Sequence, residues 1–259
     1  MSKTLDLREQ AIRKWGNDNR ALRRGKWVGK PTRRVEDPRY LTGVARYVAD
    51  LELPRMLHAV YVRSPHPHAR IVSIDKSVLS GLGKSVFVFT GEDLRDVPPL
   101  IDHVALDNLL RTPQHVVAID KVRFVGDAVA IVLAEDRYAA EDAAEQLGAA
   151  IEYEELPPVP NTAAAGAPGA ALLFEELGTN EIYREAETHG NVDEAFAKAD
   201  RVFSLQFEHN RYMAAPMETR GVLADYDRAS QQLTVWSSTQ MPHFLRSVIA
   251  GQLGLPENK

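Results

Sequence analysis

Short apolar segments of strand length alternate with helical patterns along the chain. Residues 128–134 form a continuous apolar run, which is typical of a strand buried on both faces. Asp136 then provides an N-cap for an Ala- and Glu-rich helix over residues 137–147. With a strand predicted over residues 150–153, this unit has the length of a βαβ crossover, so we expect parts of the sheet to be parallel. Further strands are predicted over residues 56–63, 86–89, 115–119 and 122–124.

Residues 156–170 interrupt this pattern. The stretch contains four prolines and two glycines, and proline removes a backbone donor and fixes φ. We therefore predict an extended surface connection over residues 157–170 that separates two domains.

The region after this connection predicts a short helix and three strands. Asn191 can cap a helix that ends at Lys198. Strands are predicted over residues 201–208, 220–226 and 232–238. The last two strands are joined by a polar segment that suits a hairpin turn.

A well-marked helix follows the last predicted strand. Pro242 suits its first turn, and Gly254 suits the left-handed position after its last turn. Its apolar stripe comprises Phe244, Leu245, Val248, Ile249 and Leu253. A hairpin needs further layers to be stable, so we expect the domain that begins here to be truncated.

The composition is that of a folded globular protein with one large domain or two ordinary ones. Of the 259 residues, 44% are hydrophobic and 26% are charged, which argues against disorder, collagen or a coiled coil. Cysteine is absent. This absence excludes internal disulfides, a cysteine nucleophile, thiolate zinc sites and iron–sulfur clusters ligated by this chain.

The charge is distributed unevenly along the chain. Residues 1–34 contain eleven basic and three acidic residues, a net charge of +8, which leaves −13 for the rest. A basic arm can bind nucleic acid, but the acidic body would repel phosphate, so no nucleic-acid partner is predicted. The first thirty residues lack the apolar stretch of a signal peptide, and residues 128–134 are too few to span a membrane. We therefore predict a cytoplasmic protein without a membrane span.

The strongest candidate for a site is the predicted strand-to-helix junction SSTQMPH at residues 237–243. A helix N-terminus presents unpaired N–H groups and the positive end of the helix dipole, which favour anions and oxo groups. Gln240 brings an amide donor and an acceptor to that position. The alternative is that Ser238 or Thr239 simply caps the helix.

Two other groups of residues have both a functional and a structural interpretation. His66 and His68 could face one metal ion, but no third ligand is evident, which favours a proline-fixed turn. Glu218 and Arg220 could form an active-site pair, although ion pairs at strand ends are mostly structural. The sequence contains no Ser/His/Asp motif spacing, no Gly-x-Gly-x-x-Gly motif and no phosphate loop.

An ordered series of motifs runs from Val28 to the end of the chain. The first are VGKPTRRVEDPRYLTG (28–43), ARYVAD (45–50) and LHAVYVRSPHPHARI (57–71). They are followed by TGEDL (90–94), VRFVGDAVA (122–130), AEDRY (134–138), YEELP (153–157), PMETRG (216–221), YD (226–227) and WSSTQ (236–240). Together they strongly resemble the large, molybdopterin-binding subunit of the molybdenum hydroxylases, the family of xanthine dehydrogenase, aldehyde oxidase and aerobic carbon monoxide dehydrogenase.

The resemblance implies an α+β fold in two parts. An aldehyde oxidase/xanthine dehydrogenase a/b hammerhead domain is followed by the truncated start of a molybdopterin-binding domain. The expected organisation is a basic arm over 1–27, the hammerhead domain with its lead-in segment over 28–156, a linker over 157–170 and the beginning of the cofactor domain over 171–259.

The resemblance also implies a reaction and its cofactors. A carbon centre of a small-molecule substrate is hydroxylated with oxygen derived from water, and electrons leave the molybdenum–molybdopterin cofactor through [2Fe–2S] clusters to FAD. The Cys-free composition agrees with clusters and flavin on partner subunits. Gln240 matches the glutamine that hydrogen-bonds an oxo ligand of the molybdenum, so it is the expected cofactor-binding residue, and no residue here is expected to bind the metal directly.

Two elements of the family pattern are missing from this sequence. The glycine-rich GGFG loop and the Gly-x-Gly-Glu segment with the general-base glutamate are expected beyond Lys259. The chain is therefore predicted to hold no catalytic residue and to be inactive alone. The predicted function is the N-terminal fragment of a molybdenum hydroxylase large subunit, with the rest of that subunit, an Fe–S subunit and an FAD subunit as partners. The alternative is a non-catalytic module for folding or subunit interaction.

Overall fold

The computed structural model describes residues 34–82, 85–100, 106–210 and 212–259. The chain divides into two compact units, Met1–Leu51 and Glu52–Lys259. In the first unit, helix α1 covers Asp37–Leu41 and a 3₁₀ helix covers Val48–Asp50. The basic arm predicted for residues 1–27 lies outside the described residues.

The second unit combines antiparallel sheets with helices. Its described strands are β1 (His58–Arg63), β2 (Ala69–Ile74), β3 (Phe87–Thr90), β4 (Lys121–Val122), β5 (Ala128–Ala134), β6 (Ile151–Glu155), β7 (Val222–Asp227) and β8 (Gln232–Ser237). Its described helices are α2 (Arg137–Ala149), α3 (Thr162–Ala165), α4 (Val192–Lys198) and α5 (Pro242–Leu253), with 3₁₀ helices at Lys76–Leu79 and Glu175–Leu177. The sheet orders are β1-β5-β3, β4-β2-β6 and β7-β8. No helix in the described part is both long and apolar enough to cross a lipid bilayer.

Strand β5 is buried along one face, whereas on the other face Val129 is buried and Ile131 and Leu133 are partly exposed, so the burial on both faces that its apolar run predicts is found only in part. One face contributes to a core cluster with β1 and α2, and the other contributes Val129 to a second cluster. The buried members of the first cluster are Val62, Leu79, Ala130, Val132, Ala143, Ala144 and Leu147. The buried members of the second are Ala69, Ala118, Val122 and Val129. The small alanine side chains of α2 allow the helix to pack closely on the sheet.

The predicted parallel βαβ unit is wrong. β5, α2 and β6 follow one another in the chain, but β5 lies in the β1-β5-β3 sheet and β6 in the β4-β2-β6 sheet. β6 pairs antiparallel with β2, with Tyr153 opposite Ile71. The reason is that the number of residues between the two strands shows only that a crossover connection is long enough. It does not show whether the two strands belong to the same sheet.

Helix α2 begins where its capping residue predicts. The Asp136 carboxylate accepts the Ala139 N–H at 3.0 Å, which satisfies one of the unpaired donors of the first turn. The helix continues to Ala149, two residues beyond the predicted end.

Two strand predictions in this part differ from the structure. Residues 115–119 form no strand, and the nearest pairing is an isolated bridge between Leu100 and Gln114. Val117 and Ala118 are nevertheless buried, so these apolar residues fill the core from a turn. Strand β2 was not predicted, because a bulge between Ile71 and Ser73 breaks the alternation on which strand prediction depends.

The segment predicted as an extended linker contains one helical turn, α3. Asn161 caps this turn by accepting the Ala164 N–H at 2.8 Å. Asn180 then accepts the Leu173 N–H at 3.0 Å and donates to the carbonyl oxygen of Ala171 at 2.8 Å. The local cap signal overrides the proline-rich composition here, and the domain boundaries at residues 156 and 170 remain predictions.

A buried lysine, Lys121, connects β4 to residues 173–175, which follow the predicted linker. The Lys121 side chain is only 3% exposed, and its Nζ lies 2.7 and 2.6 Å from the two carboxylate oxygens of Glu175. This ion pair lowers the pKa of the Glu175 carboxyl. Arg123 adds a hydrogen bond to the Leu173 carbonyl at 2.8 Å and lies over the Phe174 ring. A buried ammonium requires such a partner, so residues 173–175 are held firmly against β4.

The predicted hairpin and the final helix are confirmed. β7 and β8 pair antiparallel, and Asp227 accepts the Ala229 N–H at 2.9 Å in the turn. Helix α5 begins at Pro242, and Gly254 adopts a left-handed φ of 64° after its last turn. Residues 201–208, by contrast, form no strand, although the sequence predicts one there.

Replacing Gly91 with alanine is expected to lower the free energy of unfolding by about 1–3 kcal/mol. A Cβ at Gly91 would lie 2.3 Å from the Ala118 carbonyl oxygen and 2.5 Å from the Ile119 Cα. These are backbone atoms of the core turn, so the turn has to move. Urea unfolding of Gly91→Ala measures the effect. The matched control is Gly251→Ala in helix α5, where the space is open and a gain of about 0.5–1 kcal/mol is expected. Equal effects at the two glycines would contradict the close packing.

Asp93 is expected to make the fold sensitive to acid below pH 4. Its carboxylate accepts from Lys76 Nζ at 2.5 Å and from the N–H and hydroxyl of Thr90, which lowers its pKa from 3.8 to about 2. A depressed pKa stabilises the folded state above pH 4, and this stabilisation is lost as pH falls towards 2. Because the side chain is 38% exposed, Asp93→Asn should lower stability by about 1 kcal/mol or less at pH 6. The difference between wild type and variant should vanish near pH 2 in denaturant titrations, and a difference independent of pH would contradict the assignment.

Candidate functional site

Ser238 fixes the junction between β8 and α5. Its N–H donates to the Gly221 carbonyl at 3.1 Å, and its hydroxyl oxygen accepts the Gly221 N–H at 2.8 Å. These bonds extend the hairpin pairing by one residue beyond Val222 and Ser237. As a result, Gly221, the last residue of the motif at residues 216–221, lies beside Ser238 of the motif at residues 236–240.

The N-cap residue of α5 does not cap the helix with its side chain. Met241 is the N-cap residue and makes no side-chain capping bond, and its carbonyl accepts the Leu245 N–H at 3.0 Å. Thr239 accepts the Met241 N–H at 3.1 Å in a local turn. The prediction that Ser238 or Thr239 caps this helix is therefore wrong, because Ser238 is bound to Gly221 and Thr239 lies two residues before the N-cap.

Gln240 lies directly before this uncapped helix start. Its side chain is exposed, and it makes no hydrogen bond to any described residue. The position therefore presents a primary amide, which can donate and accept, next to the positive end of a twelve-residue helix. This arrangement suits a polar or anionic group that approaches from outside the described chain.

A cavity of about 420 Å³ lies beside the junction, between β8 and α5. Leu233 and Val235 form one wall, and Leu245 and Ile249 form the other. Thr239 is part of its lining but Gln240 is not. The charged groups at its rim include the pair Arg246 Nη2 to Glu257 Oε2 at 2.9 Å. The pKa of Glu257 is lowered by a hydrogen bond from Ser247 and by Arg246, so this rim carries satisfied ions rather than an acid–base pair.

His66 and His68 have different partners. The His66 ring packs on Tyr153 at a centroid distance of 4.9 Å, and its Nδ1 lies 3.5 Å from Glu155 Oε1. His68 is buried, and its Nδ1 lies 2.8 Å from the Pro157 carbonyl oxygen. In the described parts of the chain, no group of three or more His, Asp or Glu residues could hold a metal ion. The geometry fits the proline-fixed turn, in which His68 connects this turn to Pro157, two residues after β6.

The structure does not pair Glu218 with Arg220. Among the described ion pairs none joins these two side chains, and Arg220 is exposed while Glu218 is partly buried. Two residues earlier than Met217, Ala215 has a φ of 45°, in the region that favours glycine. Gly221, the last residue of this segment's motif, is hydrogen-bonded to Ser238 at the junction.

Two important residues were missed by the sequence analysis. Lys121 is buried, but a lysine in a strand pattern gives no signal that it will be enclosed and paired. Ser238 was considered only as a cap, whereas its actual role is to bind Gly221. Lys121 directly precedes the motif at residues 122–130, and Ser238 lies within the motif at residues 236–240. These positions are the signal that could have singled out both residues.

Two protein-family models match consecutive parts of this chain. The model for "Aldehyde oxidase and xanthine dehydrogenase, a/b hammerhead domain" matches residues 42–157, and the model for "Molybdopterin cofactor-binding domain" matches residues 173–259. The order of these two domains confirms the predicted α+β fold class.

Similar proteins cover most of this chain. The nicotine 6-hydroxylase large subunit of Paenarthrobacter nicotinovorans is 38% identical over 90% of this chain and 28% of its own length. The carbon monoxide dehydrogenase large chain of Afipia carboxidovorans is 38% identical over 90% of this chain and 30% of its own. The crystal structure of quinoline 2-oxidoreductase from Pseudomonas putida 86 superposes with a TM-score of 0.81, at 39% identity over 91% of this chain and 30% of that one. The chain thus spans less than a third of the length of these relatives.

Ser238→Ala is expected to lower the free energy of unfolding by about 0.5–1.5 kcal/mol, because it removes the acceptor of the Gly221 N–H. Thr239→Ala is the matched control. It removes an exposed hydroxyl that serves only a local turn, so its effect should be smaller. Thermal unfolding of both variants checks the assignment. A larger loss for Thr239→Ala than for Ser238→Ala would show that Thr239, and not Ser238, supports the junction.

Proposed function

Because the chain belongs to the molybdenum hydroxylase family of xanthine dehydrogenase and aldehyde oxidase type, we propose that it forms one side of the molybdopterin site of such an oxidoreductase. It supplies the hammerhead domain and the first part of the cofactor-binding domain of a large subunit. The rest of that subunit, an Fe–S subunit and an FAD subunit are its proposed partners.

The observation that carries this proposal is the free amide of Gln240. It stands at the start of α5, beside the N-cap residue Met241, which makes no side-chain capping bond. Both features favour an oxygen-rich group, because the amide N–H and the helix dipole both stabilise acceptor oxygens. The residues present therefore fit one side of a molybdenum–molybdopterin site.

When bound, this cofactor supplies hydroxylation of a carbon centre with oxygen derived from water, with electrons passing to [2Fe–2S] and FAD groups on the partner subunits. In this chain, Gln240 binds and orients the cofactor by donating its amide N–H to an acceptor oxygen. Ser238 positions Gln240 by holding the junction to Gly221. The general-base glutamate is proposed to come from the remaining large-subunit polypeptide, so this chain orients the cofactor but moves no proton.

Gln240→Ala in the assembled enzyme is expected to reduce turnover by about 10–100-fold, since loss of a supporting hydrogen bond near a metal centre has effects of this size. Stability should change by less than about 0.5 kcal/mol, because the side chain is exposed. Molybdenum content, turnover and melting temperature of the purified complex measure these effects. Gln232→Ala, an exposed glutamine on β8, is the matched control and should leave turnover unchanged.

Full turnover of the Gln240→Ala enzyme would overturn the role of Gln240. An assembled wild-type protein that contains no molybdenum would overturn the cofactor proposal. That result would favour the alternative function predicted from the sequence, a module for folding or subunit interaction without catalysis.

A further inference from the structure

Residues 201–208 have the sequence pattern of a strand with one apolar face. Phe203, Leu205 and Phe207 occupy alternate positions, and Ser204, Gln206 and Glu208 lie between them. In an extended chain, alternate side chains lie on the same face. The three apolar side chains are 82%, 78% and 78% exposed. On a strand they would therefore share one exposed apolar face, and clustered exposed apolar side chains are typical of an interaction surface.

The backbone of this segment lacks hydrogen-bond partners among the described residues, just as its apolar side chains lack a covering layer. Residues 201–208 make no backbone hydrogen bond to any described residue. The hairpin that follows contains only two strands, and β7 forms no hydrogen bonds with residues 201–208. Val222 on β7 is itself 68% exposed. Since isolated strands and two-stranded hairpins are marginal in water, both elements need a further strand.

The length of the relatives indicates which polypeptide supplies the further strand. They are more than three times the length of the region that this chain matches, so most of their polypeptide is available to cover these surfaces. A second copy of this chain would offer only the same isolated segment, and a pair of such strands has no further layer to pack against.

We propose that residues 201–208 form a β-strand that pairs with the large-subunit polypeptide that the relatives have beyond the matched region, and that this polypeptide buries the face of Phe203, Leu205 and Phe207. The recognition combines a backbone ladder with pockets for alternate apolar side chains. It rests on the proposed function in that it assigns the chain to such a large subunit.

Amide hydrogen exchange tests the pairing without molybdenum or turnover. The complete chain is compared with a protein in which it is joined at Lys259 to the remaining sequence of the nicotine 6-hydroxylase large subunit. The covalent connection supplies a high effective concentration, so weak pairing suffices. We expect amides of residues 201–208 to exchange freely in the chain alone and at least about 10-fold more slowly in the joined protein.

The β7–β8 amides serve as the internal control for folding. Protected β7–β8 amides with free exchange at residues 201–208 in the joined protein would overturn the proposal. Protection of residues 201–208 in the monomeric chain alone would overturn it in favour of pairing within the chain. Protection that depends on the concentration of the chain alone would overturn it in favour of a second copy.

A matched pair of variants distinguishes the two faces and covers the case in which the joined protein does not fold. Leu205→Asp places a carboxylate on the apolar face, and Gln206→Asp places one on the opposite face. In the joined protein only Leu205→Asp should abolish the protection. In the chain alone, Leu205→Asp should reduce the fluorescence of a bound apolar dye several-fold, whereas Gln206→Asp should not. Equal effects of the two variants would overturn the assignment of faces. None of these measurements needs the cofactor, so the exchange results decide the strand pairing, whereas the molybdenum content of the assembled wild-type protein decides the proposed function.

Discussion

The packing of β5 between two strands and a helix is the constraint on which the first part of the fold depends. An apolar central strand needs partners along both edges and a layer over its buried side chains. β1 and β3 supply the edges, and α2 covers the face of Ala130 and Val132. On the other face Val129 packs with residues of β2 and β4, while Ile131 and Leu133 are only partly buried. From α2 the chain enters β6, and the buried His68 then contacts the carbonyl of Pro157, which fixes the chain where it leaves the β4-β2-β6 sheet.

Electrostatic contacts hold the second part against the first. Lys121 is enclosed by the sheet, and its ammonium would be unpaired without Glu175. The energetic importance of this pair lies mainly in avoiding an unpaired buried charge, since a half-exposed carboxylate contributes little attraction of its own. Near the end of the chain, Gln252 donates to the Pro99 carbonyl at 3.2 Å. This hydrogen bond connects helix α5 to the segment that follows β3.

The two parts of the second unit differ in how much of their apolar surface they bury. Between β5, β1 and α2 the apolar side chains form a buried cluster, whereas Phe203, Leu205 and Met217 are 78% or more exposed. The candidate site at Gln240 lies in this second, incompletely covered region. A cofactor site that is built from several segments of a long chain has this property, because each segment alone presents surface that the others are meant to cover.

Hydrophobic pattern and cap residues determined the elements whose stability is local. The run at residues 128–134, the Asp136 and Asn191 caps, the hairpin turn at Asp227 and the Gly254 helix end can all be read from neighbours in the sequence. Motif order identified the family, and the position of Gln240 before a helix start was also readable.

Tertiary structure alone decided the features that depend on distant residues. It separated β5 and β6 into two antiparallel sheets, and it formed β2 despite a bulge that hides its pattern. It buried Lys121 and paired it with Glu175, and it placed the Ser238 hydroxyl in a hydrogen bond with Gly221 rather than at the start of the helix. Residues 201–208 have the alternating pattern of a strand but form none among the described residues. An alternating sequence determines which side chains share a face, but a strand forms only where another strand offers its backbone groups.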